Sequence, residues 1–96
     1  MNTLIPEQKL KYQTELPDWL IVNDVQIEKE FKFKDFKEAL SFVNKVGEIA
    51  EFMDHHPNIY LHGWNKVKLT LTTFKTGGLT SNDFIEAKKI NDLHLG

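Results

Sequence analysis

The chain has 96 residues, with twelve lysines, no arginine and fourteen acidic side chains, for a formal charge of −2. That balance argues against nucleic-acid binding by bulk electrostatics, and the missing arginines remove the bidentate fork that reads phosphates or guanine edges. A hydrophobic share of 41% excludes a disordered chain, and the length suits one domain, 1–96, whose small core self-association can complete. The absence of cysteine excludes disulfides, thiolate metal sites and a cysteine nucleophile. No apolar run approaches a membrane span, no secretory leader is visible, and Asn2 stands where myristoylation needs a glycine, so a cytoplasmic location is expected.

Pro6 and Glu7 mark a helix start, and Glu7 to Leu16 reads as a short helix that Pro17 stops. Trp19-Leu20-Ile21-Val22 follows as a short strand, with a turn at Asn23-Asp24. From Val25 to Phe33 the residues alternate, with Val25, Ile27, Phe31 and Phe33 on one side and Lys29 as the misfit on that side. These two strands make a hairpin. Asp35 with Glu38 predicts a capped helix running to about Met53. Phe36, Leu40, Val43, Gly47 and Ala50 form one stripe along it, and Phe42, Val46, Ile49 and Met53 form a second. An apolar arc that wide exceeds what one sheet face needs, so a central helix shared with a neighbouring subunit is expected.

Pro57 stops that helix, and Asn58 to Trp64 and Lys66 to Phe74 read as a second strand pair. Val67, Leu69, Leu71 and Thr73 form its apolar row, so Phe74 is expected to face away with the polar residues. Thr76-Gly77-Gly78 is a tight loop, and Thr80 with Asp83 caps a last helix reaching about Leu93. The order α-β-β-α-β-β-α predicts an α+β fold, a four-stranded, mainly antiparallel sheet with helices on one face.

Two of the four histidines stand together in Asp54-His55-His56-Pro57, at a helix end leading into a strand. Imidazole titrates near neutrality, so a pair in a cleft can divide proton transfer and substrate binding between them. A solvated pair favoured by the helix dipole is the plainer alternative. Metal binding through His55, His56, His62 and Asp54 is disfavoured, because adjacent loop residues point apart and no i, i+4 histidine spacing is present.

Glu51, three residues, His55-His56-Pro57, six residues, Trp64, nine residues, position 74, eight residues, Asp83: this spacing resembles the signature of the pterin-4a-carbinolamine dehydratases. Leu16-Pro17-Asp18-Trp19, Asn65-Lys66-Val67 and Gly78-Leu79-Thr80-Ser81-Asn82-Asp83 extend the resemblance, in order, over nearly the whole chain. The resemblance implies the same four-stranded α+β domain, assembled as a homodimer or homotetramer. It also implies dehydration of a 4a-hydroxytetrahydropterin, made by aromatic amino acid hydroxylases, to the quinonoid dihydropterin, in the recycling of tetrahydrobiopterin and without metal or cofactor. On this resemblance His55 is a general acid or base, His56 holds the pterin and Asp83 orients or electrostatically supports the site. Pro57, Thr73, Phe74, Lys75 and Thr76 line the pocket, and Glu51 and Trp64 are supporting positions.

One position departs from the family: where it has a third histidine, sometimes a tryptophan, this chain has Phe74. Phenylalanine transfers no proton, although it can wall or stack on a flat pterin ring. The expectation is a retained pocket with weakened dehydration; the alternative is a non-catalytic pterin-binding or protein-dimerisation module of the same fold, since the family is also known to stabilise partner dimers through its helical surface. Structural readings stand beside the functional ones. Asp83 suffices as a cap, Glu51 as a helix-surface carboxylate, Trp64 as core or interface, and His94 as part of a mobile tail. His62 is one more imidazole that its spacing ties to no motif.

Overall fold

Pro6, with φ already suited to a helix, opens α1 (Pro6–Glu15), and Gln8 turns back to accept the Ile5 N–H at 3.1 Å. The computed structural model describes residues 3–95, the side chain of Leu95 excepted; Asn2, read above against lipidation, lies outside them. After α1 come β1 (Leu20–Val22), β2 (Gln26–Lys32), α2 (Phe36–Met53), β3 (Asn58–His62), β4 (Lys66–Leu71), a single 3-10 turn (Phe74–Thr76) and α3 (Ser81–Leu95). The strands form one antiparallel sheet in the order β1-β2-β4-β3, so each hairpin contributes an inner strand, and β2 and β4 meet at the centre.

The period of two divides the sheet into a wet and a dry face. Ile27, Phe31, Val67, Leu69 and Leu71 are fully buried on one side, against Ala39, Phe42 and Val46 of α2 and Phe84, Ala87 and Ile90 of α3. Glu28, Glu30, Tyr60, Lys68 and Thr70 fall in register on the other side. All three helices therefore serve the dry face, with α1 joining through Tyr12 stacked on Phe84 at 4.8 Å. Lys29, the misfit of the β2 pattern, is on the dry face and is satisfied there. Its amine donates to Asn91 Oδ1 at 3.1 Å and lies 4.5 Å from the centre of the Phe31 ring. The same Asn91 oxygen accepts the Trp19 indole N–H at 3.0 Å.

Several sequence expectations change in detail. Trp19 belongs to the core rather than to β1. The strand pair predicted to span Asn58–Trp64 and Lys66–Phe74 is shorter at both C-terminal ends, because β3 stops at His62 and β4 at Leu71. At the first of these ends Gly63 and Trp64 both take left-handed backbone, φ 55° and 60°. Glycine accepts that region freely, whereas a tryptophan there costs about 1–2 kcal/mol. Trp64 is also 61% exposed, so it is not a core residue of this chain. Trp64→Asn is expected to raise stability to urea by about 1 kcal/mol. A loss of stability that grows on dilution would instead assign Trp64 to an interface between copies.

The wide apolar arc of α2 is only half used. Ala39, Phe42, Val46 and Ala50 are buried, but Phe36 and Leu40 of the first stripe are exposed, as is Phe52. His94, expected in a mobile tail, is instead in α3, edge-on to the rings of Phe31 and Phe33 at 5.1 and 5.4 Å. No helix among the described residues is long and apolar enough to cross a membrane.

Candidate functional site

The helix end that presents the two histidines is built by Asp54. It closes α2 in left-handed conformation, φ 51°, which aspartate tolerates better than most residues. The Asp54 N–H returns to Glu51 O and the His55 N–H to Ala50 O, at 3.3 and 3.1 Å, a pair of bonds that fixes the exit of the chain. The two imidazoles then part. His55 turns inward, its side chain 13% exposed, and His56 turns outward.

His55 Nε2 lies 2.6 Å from Oδ1 of Asp83, whose side chain is completely buried. The other carboxylate oxygen, Oδ2, accepts the Thr80 backbone N–H and the Thr73 hydroxyl, both at 2.9 Å. The Thr73 and Thr80 hydroxyls are themselves 2.9 Å apart. Asp83 is thus both the cap of α3 and the partner of His55, one oxygen for each task. Facing a carboxylate, Nε2 donates, which leaves Nδ1 as the acceptor nitrogen of the neutral ring.

His56 Nε2 pairs with Oε2 of Glu51, one turn back on the exposed side of α2. That hydrogen bond, followed by the charges of Glu51, Asp54 and Glu86, raises the His56 pKa above its ordinary value despite some opposing desolvation, so the imidazolium persists to higher pH than in a free histidine.

Beside the histidines opens a cleft of about 630 Å³, lined by Asp54, His55, His56, Thr72, Thr73, Phe74, Lys75, Thr76 and Asn82. Its far wall is the segment after β4. Thr73 bridges to Gly78, the Thr76 hydroxyl donates within the turn, and Gly77 closes it at φ 72°. This turn corrects the expected strand: Phe74 is not the outward residue of a strand but stands on the 3-10 turn, 79% exposed at the cleft. Asp83 and Pro57 are not part of the lining; Asp83 reaches the cleft through His55 and Thr73. A second cavity, about 390 Å³ between Lys32–Lys34, α2 and the end of α3, contains His94 but no histidine held by a buried carboxylate.

The structure thus brings together His55, His56, Asp83, Thr73, Phe74, Lys75 and Thr76, with Pro57 following in chain and Glu51 behind His56. It separates Trp64, which sits beyond the far end of β3, at the opposite end of that strand from His56. His62 is removed as well: it lies on the wet face, pairs with Glu30 and stacks on Tyr60 at 4.5 Å. No group of three or more histidine, aspartate or glutamate side chains that could hold a metal ion is found among the described residues. Sequence reasoning passed over one titratable group near the site, Glu86, which is fully buried on α3. The spacing Asp83, Glu86, Ala87, Ile90 was the available signal, since it places the glutamate on the same face as three residues that turn inward.

A sequence model of the pterin 4 alpha carbinolamine dehydratases matches residues 3–93. The chain belongs to this family. Within the pterin-4a-carbinolamine dehydratase family it is 50% identical over 74 residues to a candidate pterin-4-alpha-carbinolamine dehydratase of Alkaliphilus metalliredigens, a match spanning 77% of this chain and 66% of that protein. It is 41% identical over 87 residues to one of Rubrobacter xylanophilus, covering 91% of this chain and 80% of that protein. Among solved structures, a transcriptional coactivator/pterin dehydratase from Brucella melitensis superposes with a TM-score of 0.88 at 34% identity, covering 95% of this chain and 97% of that one. The family's α+β architecture is therefore the architecture of this chain.

Proposed function

We propose that the chain dehydrates a 4a-hydroxytetrahydropterin to the quinonoid dihydropterin, a hydro-lyase reaction that draws its catalytic groups from the cleft beside His55. The carrying observation is the His55–Asp83 pair at 2.6 Å, a proton-transfer group held by a buried carboxylate at the rim of a cavity with room for a bicyclic ring. In the reaction the C4a–O bond breaks and a C4a=N5 double bond forms. The N5 proton passes to a base, and the departing hydroxide takes a proton from an acid and leaves as water. His55 is the acid–base group. Asp83 holds its ring in one tautomer and stabilises the imidazolium that forms. His56, whose protonated form Glu51 favours, donates to the pterin and orients it. Thr73 and Thr76 supply hydroxyls along the wall, and Phe74 offers a flat apolar surface on which the ring can stack.

Phe74 makes this a dehydratase with a reduced acid–base set. A positioned proton-transfer group contributes about 10²–10⁴ in rate, so Phe74→His is expected to accelerate dehydration by up to about 10²-fold. Saturable binding of a dihydropterin that weakens in His56→Ala tests the pocket independently of turnover. A protein that neither binds dihydropterin nor gains rate in Phe74→His contradicts the proposal. The second reading, a dimerisation module, is favoured by Phe36, Leu40 and Phe52, exposed apolar residues on α2 that suit a homodimer, a homotetramer or a protein partner.

A further inference from the structure

Glu86 is fully buried, and both of its carboxyl oxygens lack a hydrogen-bond partner. They are the only buried side-chain nitrogens or oxygens among the described residues of which that is true. A carboxyl so placed is costly, and an apolar side chain of similar size would fill the position at no such cost. Its place in the fold is specific. Glu86 follows Asp83 by three residues on α3, one helical turn along the same face, and Asp83 holds the ring of His55. The charges acting on it are His55 and His56 from the segment after α2 and Asp83 from its own helix. Burial is the largest influence and raises its pKa; His55 opposes that, Asp83 adds to it and His56 opposes it, leaving the carboxyl at about 7.

We propose that Glu86 is a positioning residue of the pterin site, a buried carboxyl that trades charge with His55 across the Asp83 carboxylate. With His55 neutral, Glu86 holds a proton; with His55 as imidazolium, Glu86 is the carboxylate. In both states Asp83, His55 and Glu86 together carry one net negative charge, so His55 changes protonation without changing the net charge of the three groups. Dehydration consumes no net proton, because the proton lost from N5 and the proton gained by the leaving hydroxide cancel. Glu86 is therefore the charge counterpart of His55, in a cleft where Phe74 supplies no proton-transfer group. This role rests on the proposed dehydratase reading, but the coupling itself can be measured without turnover.

The experiment is a carbon-13 NMR titration from pH 4.5 to 9 of protein labelled at its glutamate side-chain carboxyls. The Glu86 signal is assigned by its loss in Glu86→Gln, and the titration is repeated in His55→Gln. Removing an imidazolium that favours the carboxylate is expected to move the Glu86 midpoint upward by about 0.5 pH unit or more. The dehydration rate against pH, measured in wild type, Glu86→Gln and Glu86→Leu, is expected to shift its neutral-range limb in both variants with little change in KM. An unmoved Glu86 midpoint in His55→Gln overturns the proposal, as does a pH profile of Glu86→Gln that superimposes on wild type. A moved midpoint in a wild-type protein without turnover upholds the coupled pair and counts against the dehydratase reading instead.

Discussion

Asp83→Asn is expected to lose about 10²–10⁴ of the dehydration rate and to lower folding stability by about 1–3 kcal/mol. The substitution keeps size and shape, so its effects come from hydrogen bonding and from the lost charge. Asp83 receives three donors, the His55 ring on Oδ1 and the Thr80 N–H and Thr73 hydroxyl on Oδ2. An amide offers one acceptor oxygen and one NH₂ group. If the oxygen serves the helix cap, the NH₂ faces a donating ring nitrogen, and His55 must change tautomer or turn away. If the oxygen serves His55, the Thr80 N–H meets another donor inside the protein. Either arrangement leaves a buried polar group unmade, and the rate falls because His55 loses both its orientation and the charge that supports its imidazolium. Stopped-flow kinetics and urea denaturation on the same preparation check the two losses together. A variant that keeps full rate would show that Asp83 serves only as a helix cap.

Glu86→Leu is expected to stabilise the protein, and by more at high pH than at low. The Glu86 carboxyl rises from 4.5 to about 7 on folding. A raised pKa means that the folded state binds the proton more tightly than the unfolded state does. The stability linked to that proton is fully present below about pH 4.5 and is lost as pH climbs through 7. At about 1.4 kcal/mol per pH unit of difference, wild type forfeits about 3 kcal/mol across that window, and leucine does not. The stability gain of Glu86→Leu, measured by urea denaturation, is therefore expected to be about 2–3 kcal/mol larger at pH 8 than at pH 5. An equal gain at both pH values would mean that Glu86 is not the group that titrates. A buried carboxyl kept at this cost beside a histidine–aspartate pair is the kind of local departure from core packing that marks a working site.

Much of the architecture was legible because single residues carry unambiguous physical instructions. Val67, Leu69 and Leu71 alternate and are all buried, Asp35 accepts the Glu38 N–H at 2.8 Å, and Pro57 separates α2 from β3. The central pairing of β2 with β4 was not legible, since it joins two hairpins about forty residues apart through contacts that local pattern does not record. The strand ends at His62 and Leu71 escaped for a related reason. A left-handed tryptophan contradicts local preference, and Phe74 continues the alternating pattern in sequence while the hydroxyls of Thr73 and Thr76 draw the chain into a turn. At the site, adjacent loop positions implied that His55 and His56 part, but not which carboxylate each meets; the left-handed turn at Asp54 gives one a buried carboxylate and the other an exposed one. Glu86 went unread because charge suggested a solvated face, while the buried residues on either side of it in the helix, Asp83, Ala87 and Ile90, pointed inward.

In the proposed reaction His55, held by Asp83, moves the proton in the dehydration of a 4a-hydroxytetrahydropterin. Stopped-flow dehydration of the freshly generated carbinolamine, with wild type and His55→Ala compared at equal concentration, tests it most directly. Wild type is expected to accelerate the reaction above its spontaneous rate, and that acceleration is expected to fall by about 10²-fold or more in His55→Ala. Equal acceleration by the two proteins, or none by either in wild type and Phe74→His alike, would contradict it.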